Sequence, residues 1–509
     1  MSATVDGLPA LPMDVLINIQ YFLSREDIIS LRLTCRDLRR ATLSRTVWID
    51  ALRAVMDAND VFPPTFPLDK MSLAELEHAV FAPKRFFKLV QQRGTAVPNG
   101  SLEPVSRRVV VIIDDKQPAD EDEKVYGAAI RLLPGGRFVI ATTRSAIYLL
   151  DIGYDLNPVI RTRPVFTVRR AQLVNIDAGD AQSSWHVNEV STKAPSADLL
   201  LHISLDHRFG SGKQTSLVVY GITDIAGVPK GRQMGHLTFP QLDTHVRIHS
   251  VQGSRVAFTA NERTIGTTFS IGVWDFANGS VVAWRTRNRH PLGGLCVLSQ
   301  NSVVSHDRQL GLVVYNIPPL TPVTAGIQLV DVHPAIQYHM LEGWGEVTAY
   351  CRRGSDHFFD IHRRGTATRF IVQDLPPNFT EASVIPLKAS SFTIYEDVPE
   401  DIVTITCKPA LCVCEDGVFT GVDCSGVQDD MDARPLGAYF GLHLSQRRHG
   451  KDAQPLDVTV SLIDSDDPGY MSWLTGSIDF CPVSGRLCAM DHRQGLQLFI
   501  FDYLTPSPR

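Results

Sequence analysis

The sequence predicts a small all-α bundle at the N-terminus and a large all-β domain whose sheets close into a ring. Three observations lead there. Between Leu11 and Leu52 apolar residues recur at three- and four-residue intervals, the period of helices with one buried stripe. From Arg107 onward, short β-like runs alternate with polar turns, the punctuation of hairpin-built sheets. Several of those runs share one plan: a strand, a polar hairpin turn, and a second strand ending in an aromatic followed closely by Asp, Asn or Gly. At 509 residues the chain exceeds the size at which one core stops growing, so two or more folding units are expected.

Pro12 can open the first helix without losing a needed N–H, and Val15, Leu16, Ile19, Phe22 and Leu23 then form its stripe. Ser24 is placed to cap a second helix, with Asp27 at the capping-box position and Ile28, Leu31 and Cys35 on the buried side. Glu26 and Asp27 in its first turn, and Arg36, Arg39 and Arg40 towards its end, match the helix dipole. A third unit, Ser44 to Val55, carries Val47, Trp48 and Leu52. Residues 56–67 read as a turn region; Ser72 with Glu75 then forms a second capping box ahead of Leu73, Leu76, Ala79 and Val80, and Pro83 starts another short helix carrying Phe86, Phe87 and Leu89. Gly94 to Pro104 is the expected boundary.

The stretch from Leu11 to Leu52 resembles the F-box of eukaryotic ubiquitin-ligase adaptors. The match runs through Leu11-Pro12, Asp14-Val15-Leu16, Leu23-Ser24, Asp27-Ile28, Leu31-Arg32, Cys35-Arg36 and Val47-Trp48, in the family's order. The resemblance implies docking on Skp1 inside a cullin-RING ligase, with the chain presenting a substrate and performing no chemistry. It implies Leu11, Pro12, Val15, Leu16, Ile19, Leu31 and Trp48 as Skp1-facing or interface-supporting positions, some of which only hold the helices together. The competing reading of these helices is an ordinary cap on a larger domain. The expected organisation is an F-box at 8–56, a helical connector at 57–92, a linker at 93–106 and a substrate-recognition β domain at 107–504. A rigid connector would fix the direction in which a bound substrate faces the ubiquitin-carrying enzyme.

The repeat is clearest where Leu132–Thr142 turns into Ser145–Asp151, then at Gly253–Gly279, Leu292–Ile317 and Ser484–Leu504, with a partial copy from Asp206. Hairpins of this kind cannot each bury an apolar face alone, so they must stack on neighbours, and a closed ring leaves few exposed strand edges. The intervals between closing residues Asp151, Gly221, Asp275, Asn316 and Asp502 leave room for missed units near residues 185, 360, 410 and 460. The units resemble degenerate WD-type blades, above all at Val273-Trp274-Asp275, which implies a seven- or eight-bladed β-propeller. They depart from that pattern in lacking a regular Gly-His pair and in having one Trp-Asp ending. In a ring, the Arg108–Ile113 strand is expected to act as a clasp beside the strand around Gln497–Phe501. The competing architecture is an irregular β-sandwich or two β domains.

Composition narrows the function. A net charge of −6 offers no broad basic field for nucleic acid. The opening MSATVDGLPALPMD has no basic region before an apolar core, and no segment reaches the apolar length of a membrane span; the expected location is cytoplasm, nucleus or both. Nine cysteines spread thinly suit reduced thiols. The densest set, Cys407, Cys412, Cys414 and Cys424, lacks the CxxC spacing that lets two sulfurs converge on zinc. Asn378-Phe379-Thr380 has the form of a glycosylation acceptor without a secretory signal, and the acidic run from Asp114 to Glu123 reads as a solvated loop.

Apparent enzyme motifs fall away. Asp206-His207-Arg208, His306-Asp307-Arg308 and Asp491-His492-Arg493 recur once per unit in the turn before the closing strand, which argues for bracing of equivalent turns rather than convergence on one reactive centre. Gly210 to Thr215 has part of a phosphate-loop pattern but carries His207 and Gln214 where a Walker loop needs Gly and Ser or Thr, so a hairpin turn is expected. No HExxH, GxSxG or kinase signature is present. The expected function is therefore the non-catalytic substrate adaptor of a Skp1-cullin-F-box ubiquitin ligase, without cofactor or metal, with Skp1, a cullin and an unidentified protein substrate as partners. The alternative is an interaction scaffold with an F-box-like module that promotes no degradation.

Overall fold

The computed structural model describes residues 8–96 and, from 102 to 505, the strands and many of their short connections; for the strands between residues 336 and 478 it describes the backbone, with the side chain of Phe370. After a 3-10 turn at Leu8–Ala10 come α1 (Met13–Gln20), α2 (Arg25–Arg32), α3 (Arg36–Thr42), α4 (Arg45–Ala58) and α5 (Leu73–Ala96). Both caps form, the second as a reciprocal box. The Ser24 hydroxyl accepts from the Asp27 amide at 3.1 Å, and Glu75 accepts from the Ser72 amide at 2.6 Å while its own amide donates to the Ser72 hydroxyl at 3.3 Å.

Two helix boundaries differ from expectation. The second helix stops at Arg32, and Arg36 to Thr42 is a separate helix that Cys35 enters in extended conformation. Thr34 turns its hydroxyl onto the Leu31 carbonyl at 2.8 Å, competing with the amide that would continue the helix. Arg36 therefore sits at the start of a helix, against the dipole, while Arg39 and Arg40 keep their place in its last turn. Conversely, Pro83 starts no helix. It lies inside the 24-residue α5, where proline costs about 3 kcal/mol. Burial at both ends offsets that cost: Leu76, Ala79 and Val80 pack with α2 and α4, and Phe86, Phe87 and Val90 pack into the β region. Near the proline, the Val80 carbonyl accepts from the Arg25 guanidinium at 2.9 Å.

The β region opens with β1 (Ser106–Val111). Four-stranded sheets follow: β2 (Ala129–Leu132), β3 (Phe138–Thr142), β4 (Ala146–Asp151) and β5 (Phe166–Arg169); then β6 (Ser184–Ser191), β7 (Leu199–Phe209), β8 (Gly212–Thr223) and β9 (Lys230–Thr238). The third is built on β10 (Thr244–Gln252), β11 (Arg255–Glu262), β12 (Phe269–Asp275) and β13 (Ser280–Arg285). The fourth takes β14 (Cys296–Leu298), β15 (Ser302–Asp307) and β16 (Gly311–Asn316). Its connection, β17 (Thr321–Pro322) and β18 (Leu329–Val330), returns to pair with β13 before β19 (Ile336–Tyr338) completes the sheet. Next come β20 (Glu346–Arg353), β21 (Asp356–Arg363), β22 (Thr366–Gln373) and β23 (Leu387–Thr393), then β24 (Ala410–Cys414), β25 (Gly417–Cys424), β26 (Tyr439–Gln446) and β27 (Leu456–Ser461). The last sheet joins β28 (Ile478–Cys481), β29 (Arg486–Asp491) and β30 (Gln497–Asp502) to β1.

Among the described residues this makes seven sheets, and it corrects two of the expected missed units. The strand near residue 185 belongs to the same sheet as the copy from Asp206, and positions 410 and 460 are the first and last strands of one sheet. The position near 360 marks one further sheet, and positions 410 and 460 together mark one more. Spacing arguments overcounted because the outer strands carry none of the aromatic-Asp ending that made the inner hairpins visible. The expected clasp is present: β1 pairs antiparallel with β30 in register from Ser106 opposite Asp502 to Val111 opposite Gln497.

A pairing within the repeats was not foreseen. The closing Asp of three units meets an Arg at the start of the preceding strand: Arg137 grips Asp151 with two bonds of 2.9 and 2.7 Å, Arg255 lies 4.0 Å from Asp275, and Arg486 donates to Asp502 at 2.5 Å. Asp502 also accepts from Arg108 of the clasp at 2.6 Å. Arg486 reaches on to the carbonyls of Gly136 and Gly153 at 2.5 and 2.6 Å, tying the last sheet to the first. Asp479 adds a second tie, accepting from the Leu132 amide at 2.7 Å and the Phe480 amide at 2.9 Å.

The expected turn at 56–67 is a structural joint. α4 runs on to Ala58, and the following residues plug into the first sheet: the Phe62 amide donates to the Pro134 carbonyl at 2.9 Å, and Arg137 donates to the carbonyls of Pro64 and Thr65 at 3.0 and 3.3 Å. Phe62 is buried among Leu133, Phe138 and Ile140, while Val61 shares a core with Phe86, Val110, Tyr148 and Tyr503. Gly135, at φ +101°, leaves no room for a Cβ, which would fall 2.7 Å from Thr65 and Val61 side-chain carbons. The helices and the β region thus share one core.

Candidate docking surface

The F-box-like helices are held from inside by Trp48, which is fully buried. Its indole Nε1 donates to the Thr42 carbonyl at 2.8 Å, and the Arg32 guanidinium lies over its ring at 5.3 Å. Arg32 also donates to both oxygens of Glu77 on α5, at 2.7 and 3.1 Å, and to the Thr42 hydroxyl and carbonyl at 3.2 and 3.1 Å. A second small core of Leu16, Leu38 and Ala41, with Leu31 and Cys35 against it, ties α1 to α3.

Of the positions the resemblance implied, Leu11, Pro12 and Val15 are exposed, Ile19 and Leu31 are half-buried, and Leu16 and Trp48 are buried. Leu16 and Trp48 therefore cannot present a face to a partner in this conformation; they support the surface from beneath. Phe22, expected on the buried stripe, is 84% exposed. α1 ends at Gln20, and the amides of Tyr21, Phe22 and Leu23 bond carbonyls three residues back; this tighter winding turns the stripe away from the core.

Most of the exposed large apolar side chains among the described residues gather here, with Val105, Val109, Val111, Val228 and Leu329 elsewhere. Leu8, Leu11, Met13, Val15, Tyr21, Phe22, Leu33 and Leu43 all lie within residues 8–43, and Tyr21 and Phe22 meet edge to face at 5.3 Å. Sequence reasoning missed Leu8, Met13, Tyr21, Leu33 and Leu43. The available signal was that Leu33 and Leu43 fall in the links between helices, where a periodic stripe no longer dictates burial.

Elsewhere the ionisable groups behave as structural parts. Asp206 of the first His/Asp-Arg triplet lies within β7 rather than in a turn, and it accepts from the buried Thr215 hydroxyl at 2.8 Å. Asp307 and Asp491 likewise end strands. The Phe209–Gly212 register makes the phosphate-loop-like stretch a hairpin, as expected. Burial holds the Glu189 and Asp479 carboxyls above their usual range, with Arg131 partly opposing it. Burial also lowers His202 and His249 to about 3, Arg247 adding to the effect at His249. The Cys296 thiol is pushed up to about 12 and Cys488 well above its usual range, again by burial, which makes both poor nucleophiles. Among the described residues no group of three or more His, Cys, Asp or Glu is placed to hold a metal. Cys412 and Cys414 sit two apart on β24; Cys407, the acceptor at Asn378 and the acidic run 114–123 lie outside the described residues. No described helix is long and apolar enough to cross a membrane.

Residues 8–50 match the F-box domain family, a class of non-catalytic adaptor modules whose presence implies a Skp1-type partner. No curated protein is similar to the chain at a significant level. Among solved structures, the β-propeller domain of Myceliophteria thermophila Cps50 (Swd1) is 10% identical, with 78% of this chain and 99% of that chain covered and a TM-score of 0.37. The uncharacterized protein lmo1340 from Listeria monocytogenes EGD-e is 10% identical over 79% and 98%, with a TM-score of 0.35. BamB from Moraxella catarrhalis is 9% identical over 79% and 99%, with a TM-score of 0.28. Overlap this loose carries no argument of its own; strand order and clasp carry the fold. The chain thus combines an N-terminal F-box domain with a large, propeller-like β-sheet region.

Proposed function

We propose that the chain is the substrate-recognition adaptor of a Skp1-cullin-F-box ubiquitin ligase, acting in the cytoplasm, the nucleus or both. The observation that carries this is the concentration of exposed apolar side chains on residues 8–43, within the segment that matches the F-box domain. Leu11, Pro12 and Val15, with Met13, Tyr21, Phe22 and Leu33, would make the contact with Skp1; Leu16, Leu31 and Trp48 would hold the helices that present it. An apolar centre with a polar rim is the usual make-up of such an interface.

The β region is the substrate-recognition part in this proposal. The order of seven sheets along the chain, the last completed by β1, supports a closed seven-bladed ring, an arrangement that leaves only short, protected edges. The core shared by α5 and the β strands supports a fixed orientation between the docking surface and a bound substrate. Ubiquitin transfer then belongs to other subunits, and this chain works by raising the effective concentration of a substrate lysine near them.

Affinity purification of the intact chain beside a Phe22→Asp, Leu33→Asp variant, with bound proteins identified by mass, tests the proposal. Both residues are more than four-fifths exposed, so the variant should fold. Recovery of Skp1 and a cullin with the intact chain alone is the expected result. Recovery of neither with the intact chain would leave the non-degradative scaffold as the function.

A further inference from the structure

α2 and α5 enclose a cleft of about 460 Å³ on the helical layer, inside the roughly 300–1,000 Å³ range of small-ligand sites. Its charged lining comprises Glu26, Glu77, His78, Lys84, Arg85 and Lys88. Both carboxylates are already engaged: Glu26 holds Lys84 at 2.6 Å, and Glu77 holds Arg32 at 2.7 Å. That leaves the cations of Arg85 and Lys88 on the same helix. Arg85 donates through Nη2 to the His78 carbonyl at 3.2 Å and stands 2.7 Å from His78 Nε2. Its Nε is buried and bonds no atom in the structure.

A guanidinium beside an imidazole is held there only while the ring is neutral. Burial, then the Arg85 charge, lowers His78 to about 4, against a hydrogen bond between the ring and the Thr505 backbone that raises it. The ring is thus neutral at physiological pH and accepts from Arg85 through Nε2. Burial also lowers Arg85 itself, but guanidinium stays protonated in proteins. The cleft therefore holds a partly desolvated cation with a vacant donor and a second cation three residues on, while each of its two carboxylates is ion-paired, Glu26 through Oε1 to Lys84 and Glu77 to Arg32. An arginine fork with an adjacent lysine suits a phosphate dianion, whose oxygens can take several charge-assisted bonds.

We propose that this cleft is a binding site for a phosphate monoester, with Arg85 and Lys88 as its ligands. Two sources share that chemistry. One is a separate phosphorylated molecule. The other is this chain, phosphorylated at Ser507, which follows Thr505 by two residues in the sequence and lies outside the described residues; the Thr505 backbone meets His78. The site does not depend on the adaptor reading.

The test is calorimetric titration of the full chain with O-phosphoserine, using serine and sulfate as controls. The expected result is binding that weakens at least tenfold in Lys88→Gln and in Arg85→Gln, is partly recovered in Arg85→Lys, which restores the charge without the fork, and is largely kept in Arg93→Gln, which alters an exposed cation further along α5. Lys88 is exposed, so its variant stays informative if Arg85→Gln fails to fold. Equal binding by wild type and Lys88→Gln, equal loss in Arg93→Gln, or no saturable binding to 20-fold molar excess at protein concentrations of about 1 mM would overturn the site. A full chain made with phosphoserine at position 507 separates the sources. Loss of added O-phosphoserine binding in that chain assigns the cleft to Ser507; unchanged binding assigns it to a separate phosphorylated molecule.

Discussion

Replacing Asp502 with Asn should be the most damaging single substitution in the closing sheet. Asp502 is 2% exposed and its partners Arg486 and Arg108 are 3% and 14% exposed, so one carboxylate neutralises two guanidiniums out of water. Asparagine has nearly the same shape but turns a donor towards one of them and carries no charge. Breaking a buried pair in this way costs about 3–5 kcal/mol, a large share of an ordinary stability of about 5–15 kcal/mol. The Arg137–Asp151 pair is a built-in comparison: the same place in its hairpin, but with side chains 21% and 16% exposed and one two-bonded guanidinium in place of two. Asp151→Asn should cost about 1.5–3 kcal/mol, the range for a hydrogen bond to a charged group. Urea unfolding followed by tryptophan fluorescence gives the two midpoints, and amide exchange of β1 reports whether the clasp opens first. An Asp502→Asn midpoint no lower than that of Asp151→Asn, or unchanged protection of Val109 to Val111, would refute the reasoning. Restoring an apolar fit with Arg486→Met, Arg108→Met and Asp502→Leu together should recover much of the loss, since burial of the charges is itself costly.

Three further outcomes are expected. Trp48→Ala, which empties a fully buried site, should cost about 3–5 kcal/mol, whereas Phe22→Asp should leave stability within about 0.5 kcal/mol and reduce Skp1 binding; thermal unfolding beside a pull-down separates the two. His202 is neutral when folded, with its pKa lowered by burial to about 3 from 6.5, so the unfolded chain binds the extra proton. Stability should fall as pH drops from 6.5 towards 3, at up to about 1.4 kcal/mol per pH unit, and His202→Gln should flatten urea midpoints measured between pH 6.5 and 5; an unchanged slope there counts against it. Gly135→Ala should cost about 1–3 kcal/mol, because φ +101° and the side chains of Thr65 and Val61 both oppose a Cβ, and differential scanning calorimetry would detect the lower transition.

Local chemistry was readable from the residues themselves. Ser24 with Asp27 and Ser72 with Glu75 make their caps within one turn, so nothing distant could overrule them. The clasp was readable because an apolar β run standing alone before a turn-rich region needs a partner strand. What escaped depended on distant neighbours. Pro83 stays helical because cores at both ends of α5 outweigh a local preference. Phe22 continues an apolar stripe in sequence, but the winding beyond Gln20 changes and carries it outward. The closing Asp residues were visible, yet Arg137, Arg255 and Arg486 were not paired with them, since each partner is fixed only once the hairpin between them has formed. In the F-box segment, the module was recognisable but its inside and outside were not: Leu16 and Trp48 stood among positions read as either partner-facing or supporting, and both are buried.

The pairing of β1 with β30 imposes a waiting time on synthesis. Arg108 and Asp502 are 394 residues apart, and at about 5–20 residues per second of translation the first strand stands without its partner for roughly 20–80 seconds. During that interval Val109 and Val111 belong to an uncovered edge, the kind of segment on which other chains pair. Closing so long a loop costs roughly 5 kcal/mol of chain entropy, offset only when the whole sheet locks at once. The cores that hold residues 16–81 draw on no β strand, so the proposed docking surface can form before the β region does, while Phe86, Phe87 and Val90 of α5 wait for the last sheet. In the proposed adaptor role, a nascent chain able to meet a ligase before it can hold a substrate would be exposed to that ligase while still unfinished, which would give chaperone cover of β1 a direct effect on how much of the chain a cell accumulates.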